Sequence, residues 1–518
     1  MLKNKYINIF IIICALLIFT KVDFRFDEIF PGSFVDDAEY YYHAETIAVD
    51  FDLDYSNQMP ETPNRNLNVK NKDFVVPVHP IGVGLFSFPF VFLSNQISSQ
   101  FTANSLISLN YFIYSLVPIF YLFLSINFIG KSLKLLETKY NHNLLSIIVF
   151  GCGVSYFAFE RFSMSHTYEF FSTSFLIFLS VSYEKNKYNN PLLVFSIPIF
   201  MFLALSLRWS NYFVFIIPLL ISRLINGNYK PIYKNNLFIL SFLISLSIFL
   251  IHTNYLYGVY TINPSDIFLI VEDRISSDYS RFFDINMFWE NLIYIFKSFL
   301  IINFSQEFGL LYFSPPLFLG SVLIFYFLRK KRFDLTFIII LITVFPFFAT
   351  LVLNNPGYSY GYRYLYSTIP VFILIYFQLL QRNKLISNYM FYASIFSTIS
   401  ILFFESTQYT VLSTDYVTNS FGLYTKYVNP TYLSGFLKSL IIPDAYLNIL
   451  FTSFFGVLII KIISLFQDPN IFIENFRAVD DKIANLISDS LAFSWGMFLI
   501  LIIFYLAIII KTKPIKYK

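Results

Sequence analysis

Charge is scarce in this chain: only 13% of its residues are Asp, Glu, Lys or Arg, about half the roughly 25% of a soluble domain. So few charges exclude an ordinary water-soluble globular protein and imply a polytopic membrane protein. Cysteine is scarcer still. Cys14 and Cys152 both lie in apolar runs, which excludes a disulfide framework and leaves them as small packing residues. No long basic stripe occurs and the net charge is +4, so nucleic acid is not an expected partner. No small-x-small cleavage site follows the first apolar run, Tyr6 to Thr20, although Lys3 and Lys5 precede it. The expectation is an uncleaved signal anchor with a cytoplasmic N-terminus. Internal repeats and low-complexity linkers are absent, and no segment outside the apolar runs is long enough for a sizeable soluble core.

What the chain has in quantity is apolar and aromatic surface: 56% hydrophobic residues, with 67 Phe and 39 Tyr. A membrane helix needs roughly 20 apolar residues. Candidate spans are 6–22, 104–129, 144–159, 168–183, 192–207, 211–225, 236–254, 310–328, 335–353, 364–380, 388–404, 445–466 and 491–510. The apolar stretch 81–95, broken by Pro89, reads as a re-entrant or interfacial piece. The predicted fold is therefore all-α, a polytopic membrane helix bundle of roughly 11–13 transmembrane helices. Interfacial helices are expected in the first and fourth outer loops, the latter over WENLIYIFKSFLIINF.

With the N-terminus inside, the cytoplasmic loops are 130–143, 184–191, 226–235, 329–334 and 381–387. They carry Lys131, Lys134 and Lys139; Lys185 and Lys187; Lys230 and Lys234; RKKR at 329–332; and Arg382 with Lys384. All five obey the positive-inside rule. Farther on, the basic tail KTKPIKYK and the acidic loop 467–490 disagree with simple alternation, so the side of the C-terminus stays open. The organisation read from this is a membrane domain over 1–404 and a C-terminal loop with the last membrane helices over 405–518.

Chemistry-bearing residues gather in the outer segments. The acidic pair Asp36 and Asp37 stands at the start of a predicted short helix, in VDDAEYYYHAE. One reading is a helix N-cap; the other is a carboxylate at the membrane face that deprotonates a hydroxyl, since a single acid suffices to cap. Asp50, Asp52 and Asp54 in DFDLDYSN offer hard oxygens to a divalent cation, or belong to a solvated loop. His79 precedes Pro80, which favours an extended turn. His166 and Glu169 are three apart on one helix face, placed to bind a metal, orient a substrate or satisfy one another. Arg208 and Trp209 begin another outer turn, where a snorkelling arginine is the bland reading. In NNPGYSYGYRYLYSTIP, Gly357 and Gly361 allow close approach of a ligand to the backbone. Arg363, in the same stretch, presents a planar fork suited to a phosphate.

In order along the chain, DDAEY at 36–40, FDLDYSN at 51–57, HPIG at 79–82, GLLYFSP at 309–315 and GYSYGYRYL at 357–365 resemble the motifs of the integral-membrane glycosyltransferases of the GT-C type. The resemblance is to their bacterial branch, related to protein O-mannosyltransferases and lipid A aminosugar transferases. It departs at Asp37, where that branch usually has Glu, and at Phe51, where it has Gly; the soluble C-terminal domain of some relatives is not expected here. The resemblance implies a bacterial inner-membrane enzyme with its active site on the periplasmic or extracellular side. It would transfer a sugar from a polyprenyl-phosphate donor to a hydroxyl on a glycan, lipid or protein, inverting the anomeric centre. Asp36 or Asp37 would be the general base, Arg363 and Arg208 would bind the donor phosphate, and His166, Glu169, His79 and Tyr40 would orient substrate. A divalent metal is possible in such enzymes, with Asp52 and Asp54 as its candidate ligands. The alternatives are a lipid-linked oligosaccharide flippase or transporter, and an O-antigen polymerase-like protein.

Overall fold

The computed structural model describes residues 35–58, 76–77, 79–98, 109–159, 161–186, 190–227, 232–262, 287–305, 309–353 and 361–412, besides 437, 440 and 466. Among the described residues every regular element is helical, and the chain is an all-α bundle, as the hydropathy pattern predicts. Among the described residues four stretches are long and apolar enough to cross a membrane: Ile113–Leu135, Asn236–Tyr257, Arg363–Leu380 and Lys384–Phe403. Shorter apolar helices accompany them. The expected span 6–22 lies outside the described residues, as do 445–466, apart from Phe466, and 491–510.

The order begins with α1 (Val35–Glu45), which runs into a π-helical turn, Thr46–Asp50. α2 (Gly82–Ser98) and α3 (Leu109–Leu135) follow, then the short pair α4 (His142–Phe150) and α5 (Val154–Phe159). The expected span 144–159 is thus broken, because the chain turns at Gly151 to Gly153, with Gly153 at φ 85°. α6 (His166–Lys185) and α7 (Pro191–Leu207) form an antiparallel pair. A 3-10 segment, Trp209–Ile216, leads into α8 (Ile217–Asn226), and α9 (Asn236–Tyr257) packs back on α7. Asn190 and Asn235 cap the starts of α7 and α9 through their side-chain oxygens, while Gly227 and Gly258 close the ends of α8 and α9. α10 (Phe288–Phe304), α11 (Leu310–Phe313), α12 (Pro315–Arg329) and α13 (Phe333–Leu353) come next. A 3-10 segment, Arg363–Thr368, then opens α14 (Ile369–Ile375), and α15 (Lys384–Leu412) is the last described helix.

The core is aromatic. On the facing sides of α3 and α6, Tyr121 and Phe171 have ring centroids 4.5 Å apart and Phe128 and Phe175 4.6 Å apart, close tilted and edge-on contacts that add to burial. α1 lies against α2 at a contact that only glycine permits. A Cβ on Gly84 would come within 2.5 Å of His43 Cβ and 2.8 Å of its carbonyl carbon. α10 turns its apolar side outward: Trp289 is 72% exposed, and Ile293 and Phe296 stand beside it, while Asn291, Ser298 and Asn303 face the bundle. A helix with that polarity suits lipid better than water on its outer face.

The loops sort to two poles. At one, Arg223 pairs with Asp334, and Asn226 Nδ2 donates to Glu184 at 2.7 Å. Gln381 reaches the Lys139 carbonyl at 2.5 Å. These contacts join residues from or beside all five basic loops. α6, which starts near the other pole, is 20 residues long, or about 30 Å.

Candidate functional site

At the second pole the chain collects the polar side chains that its helices otherwise avoid. α6 begins with His166 and carries Glu169 in its first turn; both are fully buried. α7 ends at Leu207, and Arg208 leaves it in an extended conformation, which directs the side chain back at α6. Arg208 Nε lies 2.9 Å from Glu169 Oε1, and its Nη2 donates to Ser165 Oγ at 2.9 Å. Ser165 Oγ donates in turn to Glu169 Oε1 at 2.6 Å. Asn211 donates to Glu169 Oε2 at 3.4 Å and to the Ala204 carbonyl at 3.0 Å. Burial opposes the charge on Arg208, but the Glu169 carboxylate overrides it and holds the guanidinium above its ordinary pKa.

Arg363 enters from the 3-10 segment ahead of α14. The guanidinium carbons of Arg208 and Arg363 lie 4.7 Å and 5.3 Å from the centroid of the Tyr364 ring, within cation–π reach. Each retains a buried N–H without a protein partner, Nη1 on Arg208 and Nε on Arg363. A guanidinium with a spare N–H can donate to an anion in a planar fork. Gly361, at φ 62°, brings the backbone so close to Tyr366 that a Cβ there would lie 2.5 Å from the Tyr366 hydroxyl. Gly357 lies outside the described residues. His166 completes this side: its Nε2 is 3.5 Å from Arg208 Nη2, its Nδ1 is 3.5 Å from Glu169 Oε1, and its ring packs on Phe157 and Tyr366.

The N-terminal segment supplies a second polar group. Tyr40 is buried with its ring 5.0 Å from that of His79, and it lies near Arg208. Glu39, one turn into α1, is also fully buried. Its Oε2 accepts from His79 Nδ1 at 2.6 Å and from the His79 backbone N–H at 3.2 Å. His43 Nε2 donates to the His79 carbonyl at 2.8 Å, so its Nδ1 is left to accept from Tyr55 at 2.6 Å. Burial lowers the pKa of His43 to about 4, which keeps this brace neutral. Asp36 and Asp37 occupy the first turn of α1; their side chains lie outside the described residues.

Asp52 and Asp54 stand apart from the arginines. They accept from the backbone N–H groups of Asp54 and Ser56 in an exposed turn, the ordinary work of such residues. Among the described residues no three His, Cys, Asp or Glu side chains converge as a metal centre would require. Asp52 instead borders a cavity of about 1090 Å³ between the end of α1, α2, α7 and α9. Its walls are almost wholly apolar, among them Phe88, Phe202, Ile248 and Phe249. Ser206, two residues before Arg208, lines it as well.

Of the sequence-predicted residues, Tyr40, His79, His166, Glu169, Arg208 and Arg363 come together here. Sequence reasoning passed over Glu39, His43, Ser165, Asn211 and Tyr364. Glu39 and His43 had a visible signal, since both are polar residues among the tyrosines and alanines of Ala38–Ala44. Nothing local in the sequence marks Asn211 or Ser165. No family model matches this chain, nor does any curated protein or solved structure.

Proposed function

We propose that this protein transfers a sugar from a polyprenyl-phosphate donor to an acceptor hydroxyl at the non-cytoplasmic face of a bacterial inner membrane. The observation that carries the reading is the pair of guanidiniums around Tyr364, each with a buried, unpartnered N–H. An anion held there is fixed by charge-assisted bonds in a setting partly shielded from water. The apolar cavity beside Ser206 offers a route for a hydrocarbon chain attached to that anion. In the reaction, Asp36 takes the proton from the acceptor hydroxyl as general base. The oxygen attacks the anomeric carbon opposite the phosphate, the sugar–phosphate bond breaks, and Arg363 and Arg208 offset the charge left on the departing phosphate. The five basic loops support an orientation with their pole in the cytoplasm.

A flippase or transporter would need ionisable groups along a path through the bundle. In this chain His166, Glu169, Arg208 and His79 all sit at helix ends or between helices, which favours an enzyme working at the interface. The test is transfer of labelled sugar from polyprenyl-phosphate donors by the full chain in membranes, comparing wild type with Asp36→Asn and Asp37→Asn. The expected loss in the variant lacking the base is roughly 100- to 10,000-fold; full transfer by both variants would remove the acidic pair from the mechanism.

A further inference from the structure

α9 is one of the stretches apolar enough to cross a membrane, yet it carries a histidine. The His252 imidazole lines the apolar cavity, and its Nε2 is buried without a hydrogen-bond partner among the described residues. Phe249, one turn earlier on α9, packs edge-on against the ring with centroids 6.2 Å apart. An ionisable side chain within a membrane span is costly, and by default it marks a binding site or path. The neighbouring polar groups of the cavity bond within their own segments. Ser206 Oγ donates to the Leu203 carbonyl at 2.8 Å, and Asp52 accepts from the Asp54 backbone N–H at 3.2 Å. α7 and α9 run side by side in the same direction: Ser241 Oγ donates to the Phe195 carbonyl at 2.6 Å, and the Phe202 and Phe249 rings lie 5.8 Å apart. The same offset sets His252 level with Ser206, at the end of the cavity nearer Arg208. Along the two helices away from that level the walls are apolar, with Phe195, Ile199, Ile244 and Ile248. Ile244, Ile248 and Tyr255 also have exposed surface, so the cavity opens on the face that α9 turns to its surroundings.

We propose that this cavity binds an acyl-ester lipid of the surrounding bilayer, with the chain along the apolar walls and an ester carbonyl accepting a hydrogen bond from His252 Nε2–H. In such a lipid the ester oxygens stand where the hydrocarbon ends and the polar head begins. Along the cavity, His252 occupies that boundary. The neutral imidazole carries its proton on either nitrogen, and in the Nε2–H tautomer it is a donor directed at the cavity's occupant. A wholly hydrocarbon chain beside it would leave that N–H buried and unpaired, whereas a carbonyl at the same level satisfies it. The contact also selects among lipids, because a dialkyl ether lipid of the same shape has no carbonyl to offer. This site does not depend on the sugar-transfer reading. Where a prenyl donor enters as well, its chain and the acyl lipid compete for one cavity.

Native mass spectrometry of the full chain, released from lipid nanodiscs, measures retention of a diester phosphatidylglycerol against its diether analogue with the same head and chain length. Wild type should retain the diester about fivefold more than the diether. His252→Leu fills the space without an N–H and should retain the two equally, while His252→Gln keeps a donor and should keep the preference. Equal retention by wild type, a preference that persists in His252→Leu, or one lost alike in both variants overturns the carbonyl contact. Thermal unfolding checks that each variant is folded. Should a His252 variant unfold, Ile248→Trp obstructs the cavity from its exposed side and should lower retention of both lipids; unchanged retention there overturns the site. Polyprenyl phosphate added to wild type should displace the diester. Retention of both at once leaves the acyl site standing and removes the cavity from the donor's path, which counts against the transferase reading alone. Retention of polyprenyl phosphate with no diester bound at any concentration overturns the acyl site alone.

Discussion

Glu169 is a carboxylate with no exposed surface, and the protein tolerates it because four neighbours act on it at once. Arg208 supplies the opposite charge, Ser165 and Asn211 donate hydrogen bonds, and His166 packs alongside. A charge so placed is stable only while its partners remain, since taking ions out of water costs several kcal/mol each. Glu169→Gln leaves Arg208 buried against a neutral amide. The expected result is a loss of about 3–5 kcal/mol, read by denaturant or thermal unfolding in micelles. A change below about 1 kcal/mol would mean that water reaches Arg208 freely and that the anion site is not dry. Arg363 differs in kind: no carboxylate neutralises it among its described contacts, and its interactions are with the Tyr364 ring and hydroxyl.

At the scale of elements, the site depends on three helix ends meeting at one pole, and α1 and α2 are closely joined there. Because a Cβ on Gly84 would overlap His43, Gly84→Ala should push α1 away from α2 and cost about 1–3 kcal/mol, as overpacking does. Unfolding measurements check the cost, and increased carbethoxylation of His43 would report the displacement; unchanged stability would contradict the packing. This joint shows what the sequence could and could not tell. Long apolar runs made the all-α bundle legible. The broken helix at Gly151 was not legible, since 144–159 reads as one apolar run. Residues such as Asn211 acquire their role only when α7 and α6 meet, 42 positions apart in the Asn211–Glu169 bond, and no local pattern encodes that. Asp52 and Asp54, whose spacing also suits a cation, accept backbone N–H bonds in an exposed turn.

Across the whole molecule the polarity is segregated. Basic loops meet at one pole, the histidines, carboxylates and two guanidiniums described above meet at the other, and aromatic and aliphatic surface lies between them and on the outer face of α10. An apolar cavity of about 1090 Å³ opens beside the charged pole, larger than the roughly 300–1,000 Å³ of ordinary small-ligand pockets. A molecule with a phosphate at one end and a long hydrocarbon chain at the other matches both features at once. The most direct measurement is equilibrium binding of polyprenyl phosphate and of the uncharged polyprenol to the full chain, followed by native mass spectrometry, in wild type and Arg363→Ala. Preferential retention of the phosphate by wild type, weakened about tenfold or more in Arg363→Ala, is the predicted result. Equal retention of phosphate and alcohol, or phosphate binding indifferent to Arg363, would contradict the account.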